Sequence, residues 1–385
     1  MSSAAVYLDH HATTPVDPRV LDAMLPHLGP RFGNAGSRAH AYGWAASEAV
    51  ETARAKLAGM LGASPREIVF TAGATESDNI AILGTAAVHG SGRIVTTAIE
   101  HHAVLDTCLS LRERGFDVVV LPVDGHGQVS ARDVAEAMDE RTILVCVMAA
   151  NNEVGTIQPI AEIGRACRER SVVLLCDAAQ AIGRLPVDVE AWSVDMLALS
   201  AHKFYGPQGV GALYVRARPR VRLLPVMHGG GQEHGLRPGT LNVPGIAGLG
   251  RAAELVTEGV EEESARIGAL RDRLQARLLA IEGAHVNGHP TQRLTGNLSI
   301  RFDGVEAEAL IAALPGLALS TGAACSTGDP KPSGVLLAMG LSAQQARQTL
   351  RFGLGRTTTQ AEADRAADLV TQAVAQARVG SSARP

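Results

Sequence analysis

The chain has 385 residues, 46% hydrophobic and 19% charged, the balance of a globular enzyme with room for two domains. Its formal net charge of −4, with no basic run, excludes direct nucleic-acid binding and an anionic-membrane partner. No apolar stretch reaches transmembrane length, and residues 1–6 lack the charged and apolar regions of a signal peptide, so a cytoplasmic location is expected.

From about residue 60 to 215, short β-rich apolar runs alternate with helical patterns. Strands are predicted over 68–71, 93–97, 118–121, 143–148, 172–177, 196–200 and 210–215. Helices are predicted over 77–89, 103–114, 131–138 and 160–170. The alternation implies an α/β fold, a large domain whose mostly parallel seven-stranded sheet is covered by helices. Runs such as Ile143-Leu144-Val145-Cys146-Val147 are apolar on both sides, as covered strands should be. From Pro244 the pattern changes to a long helix over about 246–281, then strands near 285–287 and 297–302, two or three helices and a strand over 348–354. That reads as a smaller α+β domain. The tail after Ala375 is expected to be disordered.

Five cysteines without paired spacing exclude a disulfide framework and a Cys-x-x-Cys zinc site. Cys146 and Cys176 fall in strand-like runs, and Cys108 and Cys167 in helical patterns, so all four are predicted to be buried structural thiols. Cys325 differs, because Ser320-Thr-Gly-Ala-Ala-Cys-Ser-Thr-Gly-Asp-Pro330 is small, polar and loop-like. An accessible thiol there becomes reactive once its pKa is lowered.

Only three lysines occur, Lys56, Lys203 and Lys331, against 32 arginines. An arginine-favouring genome explains the count but not the setting of Lys203. It follows the apolar run 194–199 and precedes the glycine-rich turn Gly206 to Gly211, which suits an amine at the end of a buried strand. Desolvation lowers the pKa of such an amine and frees its lone pair to form a Schiff base.

In an open α/β sheet, ligands bind beyond the carboxyl ends of the strands. Strand 68–71 is followed by Gly73-Ala74-Thr75-Glu76-Ser77, a helix start that suits a phosphate or is simply capped by Thr75. The next strand ends carry Glu100-His101-His102, Asn151-Asn152-Glu153, Asp177-Ala178-Ala179-Gln180 and Ser200-Ala201-His202-Lys203. Any one of these reads as a turn; their joint occurrence does not. A buried carboxylate at Asp177 with Lys203 on a neighbouring strand suits pyridoxal phosphate, the lysine holding the aldehyde and the carboxylate pairing with the pyridinium nitrogen.

These residues resemble the cysteine desulfurases of the NifS/IscS type, in the class V aminotransferase-like branch of fold-type-I pyridoxal phosphate enzymes. The resemblance runs through Tyr7-Leu-Asp-His-His-Ala-Thr-Thr-Pro15, Phe70-Thr-Ala-Gly-Ala-Thr-Glu-Ser-Asp-Asn79, Asn151-Asn-Glu-Val-Gly155, Ser200 to Lys203, Met227-His-Gly-Gly-Gly-Gln232, Arg237-Pro-Gly-Thr240 and Arg351-Phe-Gly-Leu-Gly-Arg356. It implies a large cofactor domain over 16–258 and a small one over 1–15 and 259–385, with a nucleophile loop at about 320–334.

By the same resemblance, Lys203 holds pyridoxal 5′-phosphate and shuttles a proton. Asp177 pairs with the ring nitrogen, Gln180 bonds the ring oxygen, and His101 stacks on the ring and serves as a proton donor. Ala74, Thr75, Ser200 and His202 hold the phosphate, with Thr240 reaching across from the second subunit of a homodimer. Asn152 and Arg351 hold the carboxylate of L-cysteine. Cys325 takes the sulfur as a persulfide, alanine leaves, and the sulfur passes to an acceptor protein such as an iron–sulfur scaffold or a tRNA or DNA thiolation enzyme. No resident metal is implied, although Cys325 could transiently ligate an iron–sulfur cluster. Selenocysteine lyase and class V aminotransferase are the alternative activities, and an aminotransferase has no need of Cys325. Gly353, Pro238 and His102 depart from the usual serine, serine and lysine. The segment after Cys325 has the length of the long-loop subgroup. The C-terminus is shorter than in relatives that dock a scaffold there.

Overall fold

The computed structural model describes residues 5–321 and 331–382. The elements are, in chain order, β1 (Val6–Tyr7), α1 (Pro18–Leu28), α2 (Ala41–Leu61), β2 (Ile68–Thr71), α3 (Ala74–His89), β3 (Arg93–Thr97), α4 (His102–Ser110) and β4 (Asp117–Leu121). The chain continues through α5 (Ala131–Ala137), β5 (Thr142–Cys146), α6 (Ile160–Glu169), β6 (Val173–Asp177), β7 (Met196–Ser200), β8 (Gly211–Val215) and α7 (Val243–Leu279). Beyond these lie β9 (Ala284–Asn287), β10 (Asn297–Phe302), α8 (Ala307–Ala313), β11 (Leu317–Ala318), α9 (Gly334–Ala338), α10 (Ala343–Arg347), β12 (Thr349–Gly353) and α11 (Gln360–Ser382).

The seven predicted strands form one sheet in the order β2-β8-β7-β6-β5-β3-β4. Every residue of β2 and β7 is buried, because helices cover both faces. Helix α6 shows how a face is covered: Ile160, Ile163, Gly164 and Cys167 repeat at helical spacing and are its buried residues. All pairings are parallel except those of β8, which runs antiparallel to both β7 and β2. The short connection from β7 to β8 allows only that direction, since a parallel return needs a long crossover.

A three-stranded antiparallel sheet, β12-β10-β9, has its own core of Leu298, Ile300, Phe302, Leu350 and Phe352, covered by α11 and the second half of α7. β1 pairs in parallel with β11 beside it. Helix α7 packs its first half on α1 and α2, and its backbone leaves helical geometry at Gly259.

Three elements differ from the sequence reading. The tail is not disordered past Ala375; α11 runs to Ser382, and its buried stripe includes Ala363, Ala367, Val370 and Val374. Alanine-rich sequence has high helix propensity but little apolar contrast, so the stripe is faint. The same faintness hid α2, whose buried residues are Gly43, Ala46, Val50, Ala53, Arg54, Leu57, Ala58 and Leu61. Helix α1, started by Asp17 as cap and Pro18, also escaped notice, with Pro26 inside it masking the helical pattern. The four cysteines predicted to be buried are all fully buried.

Candidate active site

The site lies beyond the carboxyl ends of β2, β3, β5, β6 and β7. Lys203 sits in a single 3-10 turn, Ala201–Lys203, directly after β7. Its Nζ donates to the carbonyls of His11 (2.7 Å) and Ala12 (2.9 Å), two acceptors without charge. Burial lowers the amine's pKa to about 8, and the nearby Arg184 and Arg351 guanidiniums add to the shift. At neutral pH an appreciable fraction is therefore unprotonated and nucleophilic.

Asp177 ends β6, paired with Ala198 of β7. Oδ1 accepts the Ala179 N–H at 2.9 Å, and the other oxygen has no hydrogen bond among the described residues. Burial raises its pKa, opposed by that N–H and by His101 and Lys203. A cationic partner for the free oxygen would relieve this cost.

His101 caps α4, its Nδ1 accepting the Ala103 N–H at 3.1 Å. Burial lowers its pKa, so the neutral ring carries its proton on Nε2. Glu100, one residue before, is buried and bonds the Thr97 hydroxyl (2.7 Å) and the Met148 N–H (3.1 Å) through Oε1. It thereby ties the turn after β3 to the chain leaving β5. Its Oε2 has no partner among the described residues, and burial pushes its pKa up to about 8.

Gln180 lies near Asp177 but is engaged with His11. Its Oε1 bonds His11 Nδ1 (2.9 Å) and its Nε2 donates to the His11 carbonyl (2.9 Å). One amide hydrogen remains for a ring oxygen. His202 Nδ1 bonds the Thr13 hydroxyl at 3.1 Å, and burial lowers its pKa to about 4.

Gly73, Ala74, Thr75, His202 and Gln208 line an open cavity of about 620 Å³. Ser200 Oγ accepts the Ala74 N–H at 2.7 Å and steadies the start of α3. Helix-start N–H groups have no acceptor one turn back, so Thr75 and its neighbour present donors to the cavity. Close approach here demands glycine at 211, where a Cβ would lie 2.3 Å from the Leu199 carbonyl oxygen and 2.6 Å from Gly73 Cα. Thr240 is exposed and does not line this cavity.

Arg351, on β12, is nearly fully buried. Nη1 donates to the Asn152 carbonyl (2.9 Å) and Nη2 to Asp9 Oδ1 (2.7 Å), while Nε has no partner among the described residues. Ser320 Oγ also donates to Asp9 Oδ1, at 3.1 Å. Among the described residues the guanidinium is thus held by one carboxylate and one carbonyl, with its Nε edge unsatisfied. Cys325 lies outside the described residues.

The structure therefore brings Lys203, Asp177, His101, Gln180, Ser200, His202, Ala74 and Thr75 to one end of the sheet. Sequence reasoning gave no role to His11 or Asp9, which touch Gln180, Lys203 and Arg351 from 169, 192 and 342 residues away. Only the run Tyr7 to Thr14 signalled them, and nothing in it says what it folds against. The donors present fit pyridoxal 5′-phosphate: an amine of lowered pKa, a carboxylate oxygen without a partner, a neutral imidazole, and N–H groups around an open cavity.

Three comparisons bear on the assignment. The family model described as aminotransferase class-V matches residues 6–366. "Cysteine desulfurase IscS" of Anaeromyxobacter dehalogenans (strain 2CP-C) is 51% identical over 376 residues, covering 97% of this chain and 93% of that protein. "Cysteine desulfurase, mitochondrial" of Arthroderma benhamiae is 50% identical over 363 residues, covering 93% of this chain and 72% of that protein. Among solved structures, a "NifS-like protein" superposes with a TM-score of 0.90 at 39% identity, covering 96% of this chain and 99% of that one. "SspA in complex with cysteine" superposes with a TM-score of 0.82 at 38% identity, covering 92% and 99%.

Proposed function

The chain belongs to the class-V aminotransferase family and, within it, to the cysteine desulfurases of the NifS/IscS type, and from that premise we propose how its own residues divide the work. The observation that carries the reading is the placement at one end of the sheet of Lys203, an amine with its pKa lowered to about 8, and Asp177, a buried carboxylate with one oxygen unbonded among the described residues. Pyridoxal 5′-phosphate, when bound, supplies an electron sink for negative charge at the substrate Cα. Lys203 Nζ, unprotonated in part at neutral pH, takes and returns the Cα proton. Asp177 holds positive charge at the ring nitrogen. His101, with its proton on Nε2, stacks on the ring and serves as a proton donor. Thr75, Ser200 and His202 hold the phosphate, with Ala74, whose N–H is given to Ser200 Oγ, lining its cavity, and Gln180 donates its remaining amide hydrogen to the ring oxygen.

Arg351 and Asn152 take the carboxylate of L-cysteine, as the unsatisfied Nε edge of the arginine supports. The Cys325 thiolate then attacks the substrate sulfur. The sulfur–sulfur bond forms as Cβ–S breaks, the electron pair stays with carbon, and protonation there gives alanine. The persulfide is passed to an acceptor protein, an iron–sulfur scaffold or a thiolation enzyme. A cytoplasmic setting is part of the proposal, supported by the free thiols of Cys108, Cys146, Cys167 and Cys176.

A homodimer is proposed as well. Supporting it, Leu25, Leu28, Phe32, Tyr42 and Trp44 form an exposed apolar stretch along α1 and the start of α2, with Phe32 71% exposed. The division at 258/259 is supported by the break in α7 at Gly259 and by the separate core around β10 and β12.

The test is to load the protein with pyridoxal 5′-phosphate, add L-cysteine without any acceptor, and measure alanine. About one alanine per Lys203 site is expected before turnover stalls, and none with Lys203→Ala. Undiminished alanine formation by Lys203→Ala would overturn the assignment.

A further inference from the structure

The segment from Gln232 to Thr240 is anchored far more firmly than a surface loop requires. Glu233 is a buried carboxylate with φ 49, and His234 follows with φ 58, a left-handed pair without glycine. Such backbone persists only where its surroundings hold it. Here Arg54 of α2 does so. Its Nη2 lies 2.7 Å from Glu233 Oε1 and its Nη1 2.9 Å from Oε2, a bidentate pair. Glu233 Oε2 also accepts the Phe70 N–H at 2.7 Å, and Arg54 Nη1 donates to the Ile68 carbonyl at 2.7 Å. The guanidinium lies over the Phe70 ring, 4.7 Å from its centre. Glu233 is thereby bonded to β2, the strand that runs into Gly73, Ala74 and Thr75.

Two further contacts carry that anchorage along the segment. Gln232 Oε1 accepts the Gly239 N–H at 2.9 Å, closing the loop so that Glu233 stands just inside one end and Thr240 just past the other. Arg237 Nε bonds Glu76 Oε1 at 3.1 Å, and the other oxygen of Glu76 bonds the Ala72 N–H. Glu76 is in the first turn of α3, beside Thr75. The segment is therefore fixed at two points to the elements that line the phosphate cavity, although exposed Thr240 takes no part in that cavity.

We propose that Glu233 and Arg54, with Arg237 and Glu76, form a bracket that sets the position of Thr240, so that the phosphate-binding turn of one subunit dictates where its threonine meets the cofactor phosphate of the other. These are positioning residues. The proposal rests on the reading that Thr240 reaches the partner's phosphate.

The experiment uses mixed dimers in which one subunit carries Lys203→Ala, so that borohydride trapping of the cofactor reports only the other subunit's Lys203. Glu233→Gln is placed either on the reporting subunit or on its Lys203→Ala partner, and apparent affinity is measured for pyridoxal 5′-phosphate and for phosphate-free pyridoxal. Affinity for pyridoxal 5′-phosphate should fall roughly tenfold to a hundredfold, the worth of a charged hydrogen bond, only when the substitution is on the partner. Affinity for pyridoxal should not change. A loss confined to the reporting subunit, or equal for both ligands, would overturn the bracket and leave a structural role. Should Glu233→Gln give no folded dimer, Arg237→Gln, at a less buried ion pair, carries the same test with the same two outcomes. Thr240→Ala in the same arrangement separates the two ideas. If it has no effect from the partner, the reading of Thr240 fails; if it acts and neither bracket variant does, only the bracket fails.

Discussion

Replacing Glu100 by glutamine should change how stability depends on pH more than stability itself. The folded carboxyl holds its proton up to about 8, against an ordinary value of 4.5. Between those values the unfolded chain has released the proton while the folded chain keeps it. Stability therefore falls as pH rises through that window, by about 1.4 kcal/mol per pH unit. The accumulated penalty is about 3 kcal/mol at pH 7 and about 5 kcal/mol above pH 8. Glutamine keeps an oxygen for the Thr97 hydroxyl and the Met148 N–H, so the tie between β3 and β5 survives. Its amide nitrogen replaces Oε2, which already lacks a partner, at a pH-independent cost of about 1–3 kcal/mol. The variant should be the less stable protein at pH 5 and the more stable one at pH 8, with a crossing between. Urea unfolding midpoints of both proteins across pH 5 to 9 measure this. Asp78, fully buried with neither oxygen bonded among the described residues, also has its pKa raised, by burial first and then by Asp177 and Glu100, and contributes to both curves. Parallel curves would refute the claim that Glu100 is held protonated.

Loading of the apoprotein with pyridoxal 5′-phosphate should accelerate about tenfold per pH unit below pH 8 and level off above it, because only the neutral Lys203 amine reacts. A limb that instead runs to 10.5, the ordinary value, would contradict the effect of burial. Asp177→Asn should lower kcat roughly a hundredfold or more, with the bound cofactor losing the spectrum of its ring-protonated form; an unchanged spectrum would remove Asp177 from the ring nitrogen. Arg351→Lys should raise KM for L-cysteine about tenfold to a hundredfold with little change in affinity for pyridoxal 5′-phosphate, since an ammonium cannot reproduce the fork. Gly211→Ala should destabilise the protein by about 1–3 kcal/mol, because the new methyl meets the backbone of Leu199 and Gly73, which cannot step aside. Unfolding of the two proteins side by side checks it.

The sheet was legible because its strands are apolar on both faces and end in polar residues, and the strand predicted over 196–200 matches β7 at both ends. Lys203, Asp177 and His101 stood out for the same reason: each ends or follows a strand whose end faces the site. Helices α2 and α11 were missed because alanine and glycine on the buried side leave a weak periodic signal. Asp9 and His11 could not be placed, since their partners Arg351, Gln180 and Lys203 are brought to them only by the fold. Nothing in the sequence sets Arg54 apart from the other arginines. Its partner Glu233, 179 residues away, is what makes it a buried anchor.

The most direct test of the account is where the sulfur goes. The holoenzyme is given one equivalent of L-cysteine in the absence of other thiols, quenched, digested, and examined by mass spectrometry alongside Cys325→Ser. One additional sulfur atom is expected on the peptide containing Cys325, with alanine formed in equal amount, and neither product from Cys325→Ser. Sulfur found on Cys108, Cys146, Cys167 or Cys176, or alanine formed as fast by Cys325→Ser, would contradict it.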